Sequence, residues 1–313
     1  MIKWTGHYSK QTKMQKTIHI STCPICNNPG IKTMLTCKDN FATGEEFNIC
    51  KCGQCGFAFT QDFPSETEIG RYYESPDYIS HTDTNKGIIN SLYHQARKIA
   101  LKSKSKIILK YAAVKTGSLL DIGCGTGYFL DRMRHLKWII TGIEQSESVR
   151  KTAKEKFGID VQDSDYLFQI QEKRKDVLTM WHVLEHMEHL DKVVAQLHKI
   201  LKNDGIAVIA LPNRDSYDAA HYKKDWAAYD VPRHLWHFSP SSFKLLANKH
   251  RFDVVAIKPM YFDAFYISML SEKNKGTFLG SIIGLMKGWI FFLRSLLNTK
   301  RCSSLVYILK KQK

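Results

Sequence analysis

The sequence predicts an α/β protein built on a doubly wound, largely parallel sheet, with a small cysteine-bearing unit ahead of it. Three observations carry the prediction. From residue 118 onward, short apolar runs alternate with segments of helical period. One of these runs, Leu119–Ile122, opens directly into a glycine-rich turn, Gly123-Cys-Gly-Thr-Gly127. The first sixty residues instead hold two C-x-x-C pairs. At 313 residues the chain is long enough for one large domain and a small one.

Residues 1–20 read as a basic lead-in, with no apolar core and small-residue cleavage site of the kind a secretory leader carries. Residues 21–62 form the cysteine unit. Cys23-Pro-Ile-Cys26 and Cys52-Gly-Gln-Cys55 are separated by 25 residues, and four thiolates in two tight turns can surround a tetrahedral Zn²⁺ in the manner of a zinc ribbon. Cys50 is an alternative to Cys52 as ligand. Such a zinc is structural, because four thiolates leave no open coordination position. Paired cysteines suit a reducing compartment better than a disulfide framework, so a cytoplasmic protein is expected.

Residues 63–117 form a helical cover, with apolar residues at helical spacing (Ile88, Leu92, Ile99, then Ile107, Ile108 and Tyr111). The core, residues 118–313, then alternates. Leu119–Ile122, Trp138–Ile143, Ile159–Gln162, Asp176–Trp181, Ile206–Leu211, Phe252–Ile257 and Leu305–Leu309 read as strands. Tyr128–Leu136, Ser146–Phe157, Leu190–Leu201 and Ser241–His250 read as helices. That alternation places ligands at the carboxyl ends of the strands. An apolar insertion, 262–302, interrupts the pattern. Its stretch 277–297 is broken by Lys287 and Arg294, which argues against a membrane span. It reads as an amphipathic cover over an acceptor pocket or as a contact with a membrane surface, which would station the protein at the inner membrane face.

The glycine turn has the spacing G-x-G-x-G, with Asp121 two residues before Gly123. That differs from the dinucleotide fingerprint and from the phosphate-binding loop. About twenty residues on, Glu144 ends the second core strand in Thr-Gly-Ile-Glu-Gln. Further segments follow in order: Asp176 to His186, Ala210-Leu-Pro-Asn213, Val231 to Phe238 and Phe262 to Glu272. Together they resemble class I S-adenosylmethionine (SAM)-dependent methyltransferases over roughly residues 66–313. The resemblance implies a Rossmann-like, seven-stranded methyltransferase sheet and a SAM site. In that site Asp121 bonds the methionine end, and the backbone at Gly123, Gly125 and Gly127 approaches the donor. Glu144 accepts from the ribose hydroxyls, Asp163 faces the adenine amino group, and Trp181 lies near adenine or sulfonium.

His182, Glu185 and His186 form H-x-x-E-H after the fourth strand, and positions i, i+3 and i+4 share a helical face. They can serve as a general base for an acceptor hydroxyl, as metal ligands, or as a structural pair. Related methyltransferases place acidic and histidine residues here to hold a divalent metal, although their first ligand is commonly Glu where this chain has His182. His234 and His237 lie in a later loop over the same sheet edge. The expected reaction is methyl transfer from SAM to an acceptor, foremost an oxygen of a small molecule, sugar or lipid-linked intermediate. The formal net charge of +16 keeps RNA as an alternative acceptor, and a non-catalytic SAM-binding or zinc adaptor is the third reading.

Overall fold

The computed structural model describes residues 17–73 and 88–313. Most of the basic lead-in, 1–16, lies outside the described residues, as do residues 74–87 of the helical cover and the side chains of Ile88 and Leu92.

The N-terminal unit is built from short antiparallel strands: β1 (Thr17–Ile18), β2 (Ile31–Lys38), β3 (Glu46–Cys52), β4 (Ala58–Thr60) and β5 (Phe63–Pro64). β2, β3 and β4 form a meander, and β1 pairs with β5. A unit this small has little apolar surface to bury by itself. It solves the problem by sharing. α1 (Ile88–Tyr111) follows, and the core then begins with β6 (Ser118–Ile122), α2 (Tyr128–His135), β7 (Ile139–Ile143), α3 (Glu147–Phe157), the short α4 (Tyr166–Gln169) and β8 (Lys175–Trp181). Next come α5 (Leu190–Ile200), β9 (Leu201–Pro212), α6 (Tyr217–Tyr222) and β10 (Trp236–His237). β10 pairs with β4, so a strand of the large domain completes the sheet of the small one. Phe57 packs against Phe59, Trp236 and Phe238 across this joint.

α7 (Pro240–Lys249), β11 (Phe252–Pro259), α8 (Asp263–Asn274), α9 (Gly280–Leu297) and β12 (Ser304–Lys311) complete the chain. Ser239 starts α7 with a reciprocal capping box to Ser242, and Pro240 occupies the first turn, where its missing N–H costs nothing. The central sheet has the order β11-β12-β9-β8-β6-β7. β9, β8, β6 and β7 run parallel, while β12 is antiparallel to both β9 and β11. The residues of β6 and β8 are buried almost throughout, which is why they read as continuous apolar runs.

Among the described residues six strands form this sheet where seven were expected. The run 159–162 beside edge strand β7 is reduced to one parallel bridge, Ile143 to Gln162, because four residues at an open edge have a single neighbour to pair with. Since β7 and β8 flank β6 on opposite sides, the strand order reverses at the carboxyl end of β6, where an open α/β sheet leaves a crevice.

Candidate active site

The glycine turn fills that crevice. Gly123 sits at φ 69°, and a Cβ there would lie 2.4 Å from Val183 Cγ2, so no side chain fits. Gly125, at φ 56°, has nothing within 4 Å of the place a Cβ would take, so its backbone faces open space. α2 starts at Gly127 without a side-chain cap, which leaves first-turn N–H groups turned toward the same opening. Glu144, at the end of β7, accepts from the Gly125 N–H and from the Ser146 N–H, each at 3.0 Å, and so ties two loops together.

Asp121 is fully buried and accepts from Thr179 Oγ1 at 2.5 Å. Burial pushes its carboxyl up to about 7, against the Thr179 bond and the positive charge of Lys104. Lys104 comes from α1, its ammonium 4.5 Å from the Trp181 ring centroid, with burial pushing its pKa down. The helical cover thus closes over the donor crevice through a lysine that no sequence motif marks. Trp181 also stands edge-on to Phe129 of α2. Its Nε1 and the Gln145 Nε2 are buried without a hydrogen-bond partner among the described residues. Open backbone at Gly125, a strand-end carboxylate and two orphaned donors fit a polar, nucleoside-bearing donor such as SAM. Asp163 fits less directly. It is exposed, and its Oδ1 accepts from the Asp165 and Tyr166 N–H groups, so it fixes the turn that leads into α4.

The histidine-rich segment follows β8. His182 adopts φ 59°, and its ring lies between two carboxylates: Nδ1 is 3.3 Å from Glu185 Oε1 and Nε2 is 3.2 Å from Asp263 Oδ2. Burial alone would lower its pKa, but Asp263 and Glu185 override it and push His182 up to about 9. It is therefore protonated at neutral pH, a state suited to holding carboxylates rather than to waiting for a proton. Asp263 comes from α8 of the insertion and carried no signal in the sequence.

Glu185 is fully buried, and neither of its oxygens receives a well-aligned hydrogen bond among the described residues. Burial would raise its pKa, yet His182 holds it below the usual range. His186 and His234 meet edge-to-face with centroids 4.5 Å apart. His186 Nδ1 lies 3.0 Å from the Arg233 carbonyl and His234 Nδ1 lies 2.8 Å from the Ala228 carbonyl. A nitrogen bonded to a carbonyl oxygen must carry the hydrogen, so each neutral ring keeps its lone pair on Nε2. Burial and the neighbouring His234 push His186 down to about 4. Glu185, His186 and His234 can each bring one ligating atom within 4.8 Å of the others. Two imidazoles fixed by carbonyl bonds beside a buried carboxylate form a donor set that fits a divalent cation.

His237, expected over the same edge, serves the joint to the small unit instead. Its Nε2 is 3.0 Å from Thr60 Oγ1 in β4. Arg233, buried beside His234, bonds Asp230 at 2.6 Å, Asp39 of the β2–β3 turn at 3.0 Å and the Tyr72 carbonyl at 2.7 Å. The small unit thus braces the loop that carries His234.

At the far side of that unit, Cys23, Cys26, Cys52 and Cys55 bring their sulfurs together, Cys23 to Cys55 at 3.5 Å and Cys26 to Cys52 at 3.6 Å. Zn–S bonds of about 2.3 Å in a tetrahedron require sulfurs about 3.8 Å apart, so the set fits a structural zinc. The two turns match: Asn27 N–H donates to the Cys23 carbonyl and Gly56 N–H to that of Cys52, both residues at positive φ. Cys50 lies outside the cluster, its sulfur 3.8 Å from Thr33 Oγ1.

Residues 93–257 match a family model described as a methyltransferase domain. The chain is 31% identical over 106 residues to a ubiquinone biosynthesis O-methyltransferase of Pelagibacter ubique, covering 32% of this chain and 44% of that relative. A ubiquinone biosynthesis O-methyltransferase of Rickettsia bellii is 23% identical over 202 residues, 61% of this chain and 84% of that protein. Among solved structures, the complex between the Haloferax volcanii Trm112 methyltransferase activator and a putative methyltransferase superposes with a TM-score of 0.50 at 14% identity. It covers 70% of this chain and 94% of that one, a likeness of fold.

Proposed function

Because the chain belongs to the methyltransferase-domain family and is a SAM-dependent methyltransferase, we propose that its acceptor is a hydroxyl oxygen of a small, sugar or lipid-linked molecule, activated at Glu185, His186 and His234. The observation that carries this reading is the pair of imidazoles fixed through Nδ1 to backbone carbonyls beside the buried Glu185 carboxylate. When bound, SAM supplies an electrophilic methyl group on a sulfonium. A divalent cation held by the three residues would lower the pKa of a coordinated hydroxyl.

The chain's own residues position and enclose. Asp121 and Glu144 offer acceptors to the donor, with Thr179 and the Gly125 N–H fixing their orientation. Trp181 and Lys104 close the crevice against water. Asp263 and Glu185 hold the His182 ring from both sides, and Arg233 fixes the loop bearing His234. Holding two substrates in line is the main resource for a transfer of this kind.

Purified protein incubated with labelled SAM and an extract of cells lacking it tests the reading, with products separated into RNA, lipid, glycan and small-molecule fractions. Label is expected in a small-molecule, glycan or lipid fraction, lost after chelation and restored by Mg²⁺, Mn²⁺ or Zn²⁺. Metal analysis of the chelated protein shows whether the ribbon zinc stayed in place. Full activity with the ribbon loaded and no other metal present overturns the cation role. Label in RNA that falls steeply with salt would instead favour RNA methylation, which the +16 charge supports.

A further inference from the structure

The insertion leaves the sheet after β11 and returns to it at β12, folded as a two-helix hairpin of α8 and α9. An ordinary surface helix buries its large apolar residues and shows small or polar ones to water. α9 departs from this along most of its length, with Phe291 the large apolar residue it does bury. Its buried positions are Gly284, Gly288, Phe291 and Ser295. A Cβ on Gly284 would lie 2.4 Å from the Met269 Cα, and one on Gly288 would lie 2.7 Å from the Phe265 Cα, so the α8 and α9 backbones touch through the glycines. Gly280, Gly284 and Gly288 repeat at every fourth residue, the spacing that packs helices where burying apolar side chains gains nothing. The large side chains point away: Met286 is 64% exposed, Trp289 54% and Ile290 52%, with Leu285, Leu293 and Leu296 close behind. Trp289 stacks on Phe292 at 5.3 Å, an aromatic pair of the type found at membrane interfaces.

We propose that this hairpin docks the protein onto an anionic lipid bilayer, with α9 lying in the interface plane. Charge decides between a lipid surface and other apolar partners. Residues 264–302 contain six cations, Lys273, Lys275, Lys287, Arg294, Lys300 and Arg301, against one acid, Glu272. Glu272 is buried and paired with Lys287 at 2.7 Å, so the exposed rim of the apolar face is cationic. An anionic bilayer supplies both the apolar bed and the negative charge that this face and its rim call for. α9 is long and apolar enough to cross a membrane. It does not do so here, because Phe291 packs on Tyr222 of α6 and both ends of the hairpin run back into the same sheet. Asp263, the first residue of α8, is the residue that holds His182. The hairpin that carries the docked face therefore also supplies a residue of the acceptor site, and an amphiphilic acceptor would enter from the lipid side, a consequence that rests on the O-methyltransferase reading above.

Vesicle co-sedimentation of the full chain tests the docking without any turnover. With vesicles of phosphatidylcholine and about one-third phosphatidylglycerol, the protein is expected to sediment and its tryptophan emission to shift to the blue. With phosphatidylcholine alone, binding should be at least about tenfold weaker. A triple variant of residues about half exposed, Leu285→Glu with Trp289→Glu and Leu293→Glu, should lose at least about tenfold in vesicle affinity. Its SAM affinity should stay as in the parent, and its melting temperature should fall only by what the Trp289 contacts with Phe265 and Phe292 contribute. Lys275→Ala with Lys300→Ala should lose the preference for anionic lipid while keeping the fold. Equal sedimentation of parent and triple variant overturns the proposal, as does a parent that ignores anionic vesicles. A concentration-dependent dimer in light scattering, abolished by the triple variant, would assign the face to a second copy instead. Vesicle binding without methyl transfer would leave the docking standing and count against the catalytic reading alone.

Discussion

In the proposed reading, the donor and acceptor halves of the site are made in opposite ways. The donor half is local. Asp121, the three glycines and Glu144 fall within two adjacent strands and their turns, and each works through backbone geometry or a strand end. The acceptor half is assembled from distant segments: Glu185 and His186 after β8, Arg233 and His234 before β10, and Asp263 at the start of α8. It is further braced by Asp39 of the cysteine unit. A local site tolerates change elsewhere in the chain, whereas an assembled one answers to every element that holds a piece of it.

Four substitutions sharpen or break this contrast. Gly123→Val should have the largest effect, since it asks a β-branched residue to take φ 69° in the space of Val183. SAM affinity measured by calorimetry should fall at least about 100-fold. Retained affinity would mean that the turn is not the donor cradle. His234→Ala should reduce turnover about 100-fold while SAM affinity stays within about twofold, because the loss falls on the acceptor half alone. A matching loss of SAM binding would show that the halves are not separable. Glu144→Ala should weaken SAM about tenfold, about 1.4 kcal/mol, through lost ribose acceptors and a loosened Gly125 loop. Turnover at saturating SAM should change little.

Glu66→Gln should have the smallest effect, and it falls on neither half. Burial, with Glu188 and Asp165 nearby, pushes Glu66 up to about 8. A carboxyl whose pKa is higher folded than unfolded costs stability as pH rises from its ordinary value toward the folded one. The parent should therefore lose melting temperature between about pH 5 and pH 8, and Glu66→Gln should recover about 1 kcal/mol at the alkaline end, screening by solvent limiting the gain. Parallel melting curves for the two proteins across that range would show that Glu66 is not the group responsible.

The legibility of the two halves follows from the same contrast. The turn from Asp121 to Gly127, Glu144 and the four ribbon cysteines were readable because each rests on fixed spacing in a short segment. Asp163 was the weaker reading within the donor half, since a loop acid also serves to start α4. His182 and His186 were visible as residue types but not as states. The approach of Asp263, with Glu185, charges the first, and the Arg233 carbonyl and His234 help fix the second. Lys104 and Asp263 sit in a lysine-rich helix and an apolar insertion, where their neighbours in sequence gave no reason to choose them.

By itself, the sequence determined the α/β alternation, the glycine turn after β6 and the thiolate cluster, because period, glycine placement and ligand spacing act within a few residues along the chain. Tertiary structure alone decided how the acceptor face is charged, that the ribbon borrows β10 and braces the His234 loop, and that α9 turns its glycines inward and its leucines out. The physical reason is range. Desolvation, ion pairing and close backbone packing depend on which segments meet, and segments as far apart as Asp39 and Arg233 meet only once the chain has folded.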